Sequence, residues 1–328
     1  MPPLSPPPPP PGPARHTFTA PAAAARQRLD QALALLLPQH SRTRLKAWIE
    51  AGQVAVDGET ILEPRFRVHG GEAVVVTEGE DAQTLPDRPE DIAIDVVFED
   101  DALLVLNKPA GLVVHPGSGN RAGTLLNALL HHAPALATLP RAGIVHRLDK
   151  DTSGLMVVAR TVLTQTDLVR QLAAHTVKRE YLAVVHGDLK RATTIDAPIG
   201  RHPVLRTSMA VVTAGKPART HVEIVERFGM ATLLRCRLET GRTHQIRVHL
   251  TAIGHPLVGD PTYRATRGRT PAVPPAALAF ARQALHAQRL GLLHPVTHAP
   301  MEWTCAPPED LHALVDVLRA ARTPLVAG

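Results

Sequence analysis

The chain has 328 residues, a length typical of about two domains, and its 44% hydrophobic and 20% charged residues match a globular protein. Two cysteines, Cys236 and Cys305, are too few for a disulfide framework or a cysteine-rich zinc site. Lysine and arginine exceed aspartate and glutamate by 36 to 30, a net charge of +6 that favours a polyanionic partner. Aromatic residues make up 3%, too few for a protein that binds single strands mainly by stacking on bases.

The two ends of the chain are predicted to be tails. Residues 1–25 are rich in proline and alanine and predict a disordered segment, and residues 321–328 are expected to form a C-terminal tail. The first residues lack the features of a signal peptide, and no apolar run approaches the roughly 20 residues that a membrane helix needs. We therefore expect a cytoplasmic protein without a membrane partner.

Residues 26–76 predict a small α/β domain. Apolar residues at helical spacing indicate one helix that ends at Pro38 and a second that runs from Ser41 to Gly52. Alternating valines then precede Asp57-Gly58, a strong hairpin-turn dipeptide. The acidic, proline-containing residues 77–91 that follow have no periodicity and predict a linker.

Basic side chains on the two predicted helices are candidates for contact with a phosphate backbone. Acidic residues in the same domain make an ordinary solvated surface equally compatible with the residues alone. The candidate RNA-binding residues are Arg28, Arg42, Arg44 and Lys46.

Residues 92–320 predict a second, larger domain. Strands are predicted at VVFED, LLVLNKP, GLVVHP, GLMVVAR, YLAVVHG and TLLRCRLE, and helices at GTLLNALLHH and TQTDLVRQLAAH. Because the strands cluster with helices inserted between them, the pattern indicates the α+β class with a mixed or antiparallel sheet.

Three basic groups are candidates for a functional site. HRLDKDTSG at 146–154 lies between two apolar runs and predicts a loop at a sheet edge, where binding and catalysis often occur. GRTHQIRVH at 241–249 and KREYLAVVHG around Tyr181 are the other two. Spacing alone does not show that the three groups meet in space, and a salt-bridged turn explains the first as well as a site does.

Motifs of other enzyme classes fail. There is no P-loop, and the glycine-rich residues 115–124 do not follow G-x-G-x-x-G, so a nucleotide cofactor is not predicted. The 18 histidines lack H-E-x-x-H spacing and cysteine companions, which makes a zinc-dependent hydrolase a weak alternative.

The run HRLDKDTSGLMVVAR resembles the signature of the RluA-type pseudouridine synthases, which isomerise uridines in ribosomal and transfer RNA. LNKPAGLVVHPGSGNRAGTLLNALLHH, KREYLAVVHG, GRTHQIRVHL and GHPLVGDPTY resemble further blocks of that family, in family order, over about residues 92–311. RLDQALALLLPQHSRTRLKAWIEAGQVAVDG is similar to an S4 RNA-binding domain, as found in the RluD-like branch. The resemblance implies a pseudouridine synthase domain preceded by a small α/β S4-like domain.

By position, the resemblance implies that Asp149 is the catalytic aspartate, that Tyr181 is the active-site tyrosine and that Arg242 pairs with Asp149. Arg147 is expected to fill the space left by a flipped-out nucleotide, and Leu148 to form a wall of the pocket. The resemblance implies neither a metal ion nor an organic cofactor. Whether the aspartate attacks the sugar or removes a sugar proton stays open.

The predicted partner is structured RNA. Large-subunit ribosomal RNA is the first expectation and transfer RNA the alternative, and the enzyme is expected to be a monomer. The alternative from another class is a non-catalytic RNA-binding or ribosome-assembly factor that uses the same surface.

Overall fold

The computed structural model describes residues 14–38, 40, 42–78, 88–116, 120, 122–205, 208–264 and 273–321, without the side chains of Ala23, Arg42 and Thr43. The chain divides into two compact units, residues 1–87 and 88–328. The division falls within the segment 77–91 that was predicted as a linker.

In its described residues, the first unit combines two α-helices with a four-stranded antiparallel sheet. The helices are α1 (Leu29–Leu36) and α2 (Arg42–Glu50). The strands are β1 (Arg15–Thr19), β2 (Val54–Val56), β3 (Glu59–Thr60) and β4 (Ala73–Thr77), in the spatial order β1-β4-β2-β3. Leucines from both helices, Trp48 and the valines of β2 and β4 form its apolar core.

The predicted hairpin turn at Asp57-Gly58 is confirmed. Both residues have positive φ angles, 48° and 87°, as a two-residue turn between twisted strands requires. The Asp57 side chain accepts a hydrogen bond from the Ala73 amide at 2.8 Å, which ties the turn to β4.

Two predicted boundaries of this unit are wrong. Residues 15–19 were assigned to the tail, but they form β1, which pairs with β4 and packs Phe18 against the core. The alternation in RHTFT is a strand pattern that the surrounding prolines and alanines concealed. At the other end β4 includes Thr77, and Glu78 accepts from His16 and His40 at 2.8 and 3.1 Å. Residues 1–13, 79–87 and 322–328, also predicted as tails or linker, lie outside the described residues.

The second unit is built on a mixed sheet. Its strands are β5 (Asp95–Glu99), β6 (Leu103–Lys108), β7 (Ser153–Ala159), β8 (Lys178–His186), β9 (Thr193–Asp196), β12 (Arg219–Arg227), β13 (Ala231–Leu238), β14 (Leu285–Leu293) and β15 (Pro300–Thr304). Their order is β5-β6-β7-β14-β8-β13-β12-β9, with β15 paired to β14. The β7–β14 pair is parallel and the others are antiparallel, so the predicted α+β class with a mixed sheet is confirmed.

A small sheet and five α-helices complete the described part of the second unit. Strands β10 (Ile199–Arg201) and β11 (Met209–Val211) pair with each other. The helices are α3 (Leu125–His132), α4 (Val162–Ala173), α5 (Gln245–Ala252), α6 (Pro275–Leu278) and α7 (Glu309–Ala320). No helix in the described parts of the chain is both long and apolar enough to cross a membrane.

Most of the predicted elements of this unit are found, and one is wrong. The segment GLVVHP is not a strand but an isolated bridge between Val113 and Thr124, because the chain turns here from β6 towards α3. Thr124 then begins α3, since its side chain and that of Asn127 exchange hydrogen bonds with each other's backbone amides.

The ends of β6, β7 and β14 meet at Gly154. Lys108 of β6 pairs with Gly154, which in turn pairs with Ala287 of β14. Gly154 has a φ of +114°, and a Cβ atom there would lie 2.3 Å from the Ala287 carbonyl oxygen, so the close approach requires glycine. The loop that carries Asp149 leads directly into this junction.

Candidate active site

Backbone hydrogen bonds hold the loop that contains Asp149. The Asp149 carbonyl accepts from the Thr152 amide at 3.1 Å, and the Lys150 carbonyl accepts from the Gly111 amide at 2.9 Å. Leu148 is 4% exposed and belongs to the apolar cluster that also contains Tyr181. The carboxylate of Asp149 therefore projects from a fixed point rather than from a free loop.

Lys108 is fully buried and holds the same loop through its ammonium group. Its ammonium nitrogen donates to the carbonyls of Pro109, Leu112 and Lys150 at 2.7, 3.0 and 2.9 Å, so three N–H groups meet three acceptors. Burial lowers the pKa of Lys108 to about 8, although the charges of Asp151 and Asp149 oppose this shift. Sequence reasoning missed this residue, and the signal that it overlooked is a lysine at the end of an apolar strand before proline.

A second brace comes from the start of β14 and from α7. Arg282 donates to the Asp151 carbonyl at 3.1 Å and makes a two-point contact with Asp310 of α7 at 2.7 and 2.8 Å. Gln283 donates to the Thr152 hydroxyl at 3.2 Å. The C-terminal helix thus supports the loop through a buried arginine.

Arg247 binds the Asp149 carboxylate. Its Nη1 atom donates to Oδ2 of Asp149 at 2.8 Å, while Nε and Nη2 donate to the two oxygens of Asp260 at 2.7 and 2.9 Å. Asp260 is itself fixed by the backbone amides of Thr262 and Tyr263 at 2.8 and 3.0 Å. Burial opposes the charge of Arg247, but Asp260 and then Asp149 outweigh that effect and raise its pKa.

The prediction that Arg242 pairs with Asp149 is wrong. The half-exposed Arg242 donates through Nε to the Pro217 carbonyl at 3.1 Å, and its amide donates to Gln245 at 3.0 Å. Among the described residues, Arg247 forms an ion pair with Asp149, and His244 is the other basic side chain beside the carboxylate. Both arginines belong to GRTHQIRVH, and it is the start of α5 at Gln245 that turns Arg247 towards the carboxylate.

His244 lies beside the other oxygen of Asp149. Its Nε2 atom is 3.7 Å from Oδ1, and its Nδ1 atom is 2.7 Å from the hydroxyl oxygen of Tyr263. His244 has a left-handed backbone, with φ 57°, immediately before α5. Burial lowers its pKa below the ordinary value, so the imidazole is neutral at pH 7.

Of two further predicted site residues, Tyr181 is buried and Arg147 is exposed. Tyr181 is 7% exposed on β8, and burial raises the pKa of its hydroxyl, which therefore keeps its proton at neutral pH. Arg147 is exposed; burial lowers the pKa of both His115 and His244, and the charge of Arg147 contributes to both shifts.

The candidate RNA-binding residues lie in the first unit. Arg28 makes a two-point contact with Asp30 at 3.0 and 2.9 Å, and Lys46 pairs with Glu50 at 3.3 Å. Arg44 lies 5.1 Å from the ring centre of Trp48. Arg42 belongs to α2, but its side chain lies outside the described residues.

The described residues contain no group of three or more His, Cys, Asp or Glu side chains that could hold a metal ion. The polar groups next to Asp149 are instead an arginine, which binds its carboxylate, and a histidine, which in turn contacts a tyrosine hydroxyl. A preceding unit that carries basic side chains, and a carboxylate fixed just before an interior strand of the sheet, favour an enzyme that acts on nucleic acid.

Comparison with known proteins identifies the family. A family model described as RNA pseudouridylate synthase matches residues 102–252, and an S4 domain model matches residues 27–74. The chain is 55% identical over 305 residues to the ribosomal large subunit pseudouridine synthase D of Nitrosomonas europaea, which covers 92% of this chain and 87% of that protein. The protein of the same name from Pseudomonas aeruginosa is 53% identical over 305 residues, or 92% and 94% of the two chains.

Solved structures agree with this result. Human RNA pseudouridylate synthase domain containing 1 has a TM-score of 0.53 and 26% identity, over 72% of this chain and 98% of that chain. The chain belongs to the RNA pseudouridylate synthase family and carries an S4 domain. It is an isomerase that converts uridine to pseudouridine in RNA.

Proposed function

We propose that this enzyme isomerises uridines of large-subunit ribosomal RNA and that Asp149 is its catalytic carboxylate. The observation that carries the proposal is the Asp149 carboxylate itself, bonded through Oδ2 to Arg247 in a loop that Lys108 and Arg282 brace. The proposed substrate rests on the relatives named above, which share more than half of their aligned residues with this chain.

The chemistry assigns separate tasks to the two Asp149 oxygens. Oδ2 is occupied by the Arg247 guanidinium at 2.8 Å, whereas Oδ1 has no neighbour closer than the His244 nitrogen at 3.7 Å among the described basic groups. Oδ1 is therefore the oxygen that faces the sugar of the target uridine. It acts either on the glycosidic carbon or on a neighbouring sugar proton, and both routes need the ionised carboxylate that Arg247 stabilises.

Tyr181 and Leu148 form the apolar part of the pocket. Both belong to one buried cluster, so a detached uracil that rests on the Tyr181 ring is shielded from water while it rotates. The Tyr181 hydroxyl is protonated and serves as a hydrogen-bond donor. The exposed Arg147 next to this cluster fills the space of the flipped-out nucleotide.

The first unit supplies affinity for RNA. Arg28, Arg42, Arg44 and Lys46 are the residues that we assign to phosphate contact. Arg28 and Lys46 each exchange a carboxylate partner for phosphate on binding. The exposed Lys46–Glu50 pair costs about 1 kcal/mol or less, whereas Asp30, the partner of Arg28, is buried. Since large-subunit ribosomal RNA is folded in the bacterial cytoplasm, we place the enzyme there. We also assign it a monomeric state.

The test compares wild type with Asp149→Asn on three unmodified RNAs: large-subunit ribosomal RNA, the same RNA in partly assembled subunits, and a transfer RNA pool. Digestion and nucleoside analysis measure pseudouridine. We expect product on ribosomal RNA for wild type alone, with RNA affinity of the variant within a few fold, because Asn keeps the shape and removes the charge.

Each contrary result has a definite meaning. Product on transfer RNA alone would reject the proposed substrate, and turnover by Asp149→Asn would reject Asp149 as the catalytic residue. Binding without product on all three RNAs would favour a ribosome-assembly factor.

A further inference from the structure

We propose that Tyr263 and His244 are positioning residues for Asp149, with the Tyr263 hydroxyl donating to Nδ1 of His244 and thereby directing an N–H at Nε2 towards Oδ1 of Asp149. This inference deepens the proposed role of Asp149 and rests on it. It gives a role to two residues other than Arg247, which holds Oδ2 of Asp149, and Asp260, which fixes Arg247.

The direction of the hydrogen bonds follows from a backbone amide. The Met209 amide donates to the Tyr263 oxygen at 2.9 Å, so the hydroxyl proton is available for the second short contact, at 2.7 Å to Nδ1 of His244. Burial raises the pKa of Tyr263, so the hydroxyl keeps that proton. An imidazole that accepts at Nδ1 carries its own proton at Nε2, the atom 3.7 Å from Oδ1 of Asp149.

The Tyr263 ring and its hydroxyl have separate tasks. The Arg247 guanidinium carbon lies 4.9 Å from the ring centre, and the His244 ring meets it edge-on at 5.6 Å. The Tyr263 amide donates to Asp260, the carboxylate that fixes Arg247. Replacement of Tyr263 by phenylalanine therefore keeps the packing and removes the two hydrogen bonds of the hydroxyl, the one from the Met209 amide and the one to Nδ1 of His244.

The charge of His244 matters because Oδ1 must stay accessible to the sugar. A neutral N–H at 3.7 Å orients Asp149 without occupying its lone pairs, whereas an imidazolium would draw Oδ1 into an ion pair. Asp149 and Asp260 favour that imidazolium, and burial, Arg247 and Arg147 oppose it. The hydrogen bond from the Tyr263 hydroxyl also opposes formation of the imidazolium, because it needs the lone pair on Nδ1 that protonation would remove.

The direct test is an NMR titration of His244 in the free, full-length protein, which does not depend on the RNA substrate. We assign the signal by its loss in His244→Gln and compare its pKa in wild type and in Tyr263→Phe. Loss of one neutral hydrogen bond should raise the His244 pKa by about one pH unit. An unchanged pKa, or a lower one, would overturn the inference even if the enzyme proves active on ribosomal RNA.

The functional test is the single-turnover rate of pseudouridine formation between pH 5.5 and 8.5, with RNA affinity measured at each pH. For Tyr263→Phe we expect the acid limb to move up by about one pH unit and the affinity to stay unchanged. Glutamine at position 244 keeps an N–H near the place of Nε2 and does not titrate, so Tyr263→Phe combined with His244→Gln should show no such movement.

His175→Gln is the matched control, because His175 is exposed and shares the left-handed backbone of His244, with φ 59°. Its pH profile should match that of wild type. An acid limb that moves equally in the double variant would overturn the inference, since another group would then be responsible. If Tyr263→Phe proves too unstable to assay, His244→Gln decides, because an acid limb identical to that of wild type would show that His244 has no part in it.

Discussion

Replacement of Arg247 by lysine tests which arginine serves Asp149. Arg247 makes three charge-assisted hydrogen bonds to two carboxylates, at 2.7, 2.8 and 2.9 Å. A lysine has one nitrogen and cannot keep the two-point contact with Asp260 while it reaches Asp149. The control is Arg242→Lys, which alters the half-exposed contact with Pro217 in the same sequence motif.

The structure sets the size of the effect. One charge-assisted bond is worth about 1.5–3 kcal/mol, and the stacking of Arg247 on Tyr263 adds about 0.5–2 kcal/mol. The two backbone amides that donate to Asp260 remain, which keeps the loss below that of a bare buried carboxylate. We expect Arg247→Lys to lower the free energy of unfolding by about 2–4 kcal/mol, and Arg242→Lys by about 0.5 kcal/mol or less.

Turnover should separate the two variants further. Asp149 loses its fixed partner in Arg247→Lys, and loss of one such oriented contact typically lowers kcat by about 10²–10³. Because the chain has two tryptophans, a Trp48→Phe background leaves Trp303 of β15 as the fluorescent reporter of urea unfolding in the second unit. Near wild-type turnover in Arg247→Lys together with a large loss in Arg242→Lys would refute the assignment.

Two further variants test the support of the Asp149 loop. Lys108→Met leaves three carbonyls without their donor and should cost about 3 kcal/mol or more along with most of the turnover, whereas the exposed Lys190→Met should change the urea midpoint little. Gly154→Ala, with its Cβ 2.3 Å from the Ala287 oxygen, should cost about 3 kcal/mol or more by urea unfolding; Gly229→Ala, at φ +84° in open space, should cost about 1 kcal/mol, and equal losses would contradict the steric argument.

Local chemistry predicted the parts of the fold that depend on neighbours in sequence. Asp57-Gly58 specifies its turn because both positions need positive φ angles, and the helical spacing of GTLLNALLHH indicated α3. The strand at residues 15–19 escaped prediction for the opposite reason. Its pairing with β4 is a contact across about sixty residues, and the composition around it is that of a tail.

The site was predictable as a set of residues and not as a set of contacts. Asp149, His244 and Arg247 all lie in the motifs that the sequence singled out, but Asp149 and Arg247 are 98 positions apart. Two arginines five residues apart in one motif cannot be ranked by spacing, since the first turn of α5 decides which one faces the carboxylate. Asp260 and Tyr263 lie in GHPLVGDPTY, which was noted only as a block that resembles the family. No role was predicted for them, because their roles exist only through contact with Arg247 and His244.

The charges of the site fall into an inner and an outer group with different tasks. The inner group contains Asp149, Asp260 and Arg247, and with His244 neutral its net charge is −1, which repels an RNA backbone. We therefore expect the exposed Arg147 and Lys150, on either side of Leu148 and Asp149, to add attraction for phosphate near the site to that proposed for the first unit. Salt screens exposed charges far more than a buried pair, so higher ionic strength weakens capture of RNA and leaves the Asp149–Arg247 contact intact. On the proposed roles, binding and chemistry are separated within one loop: the residues proposed to attract the polyanion are exposed, and the carboxylate proposed to react is held by Arg247, which is buried.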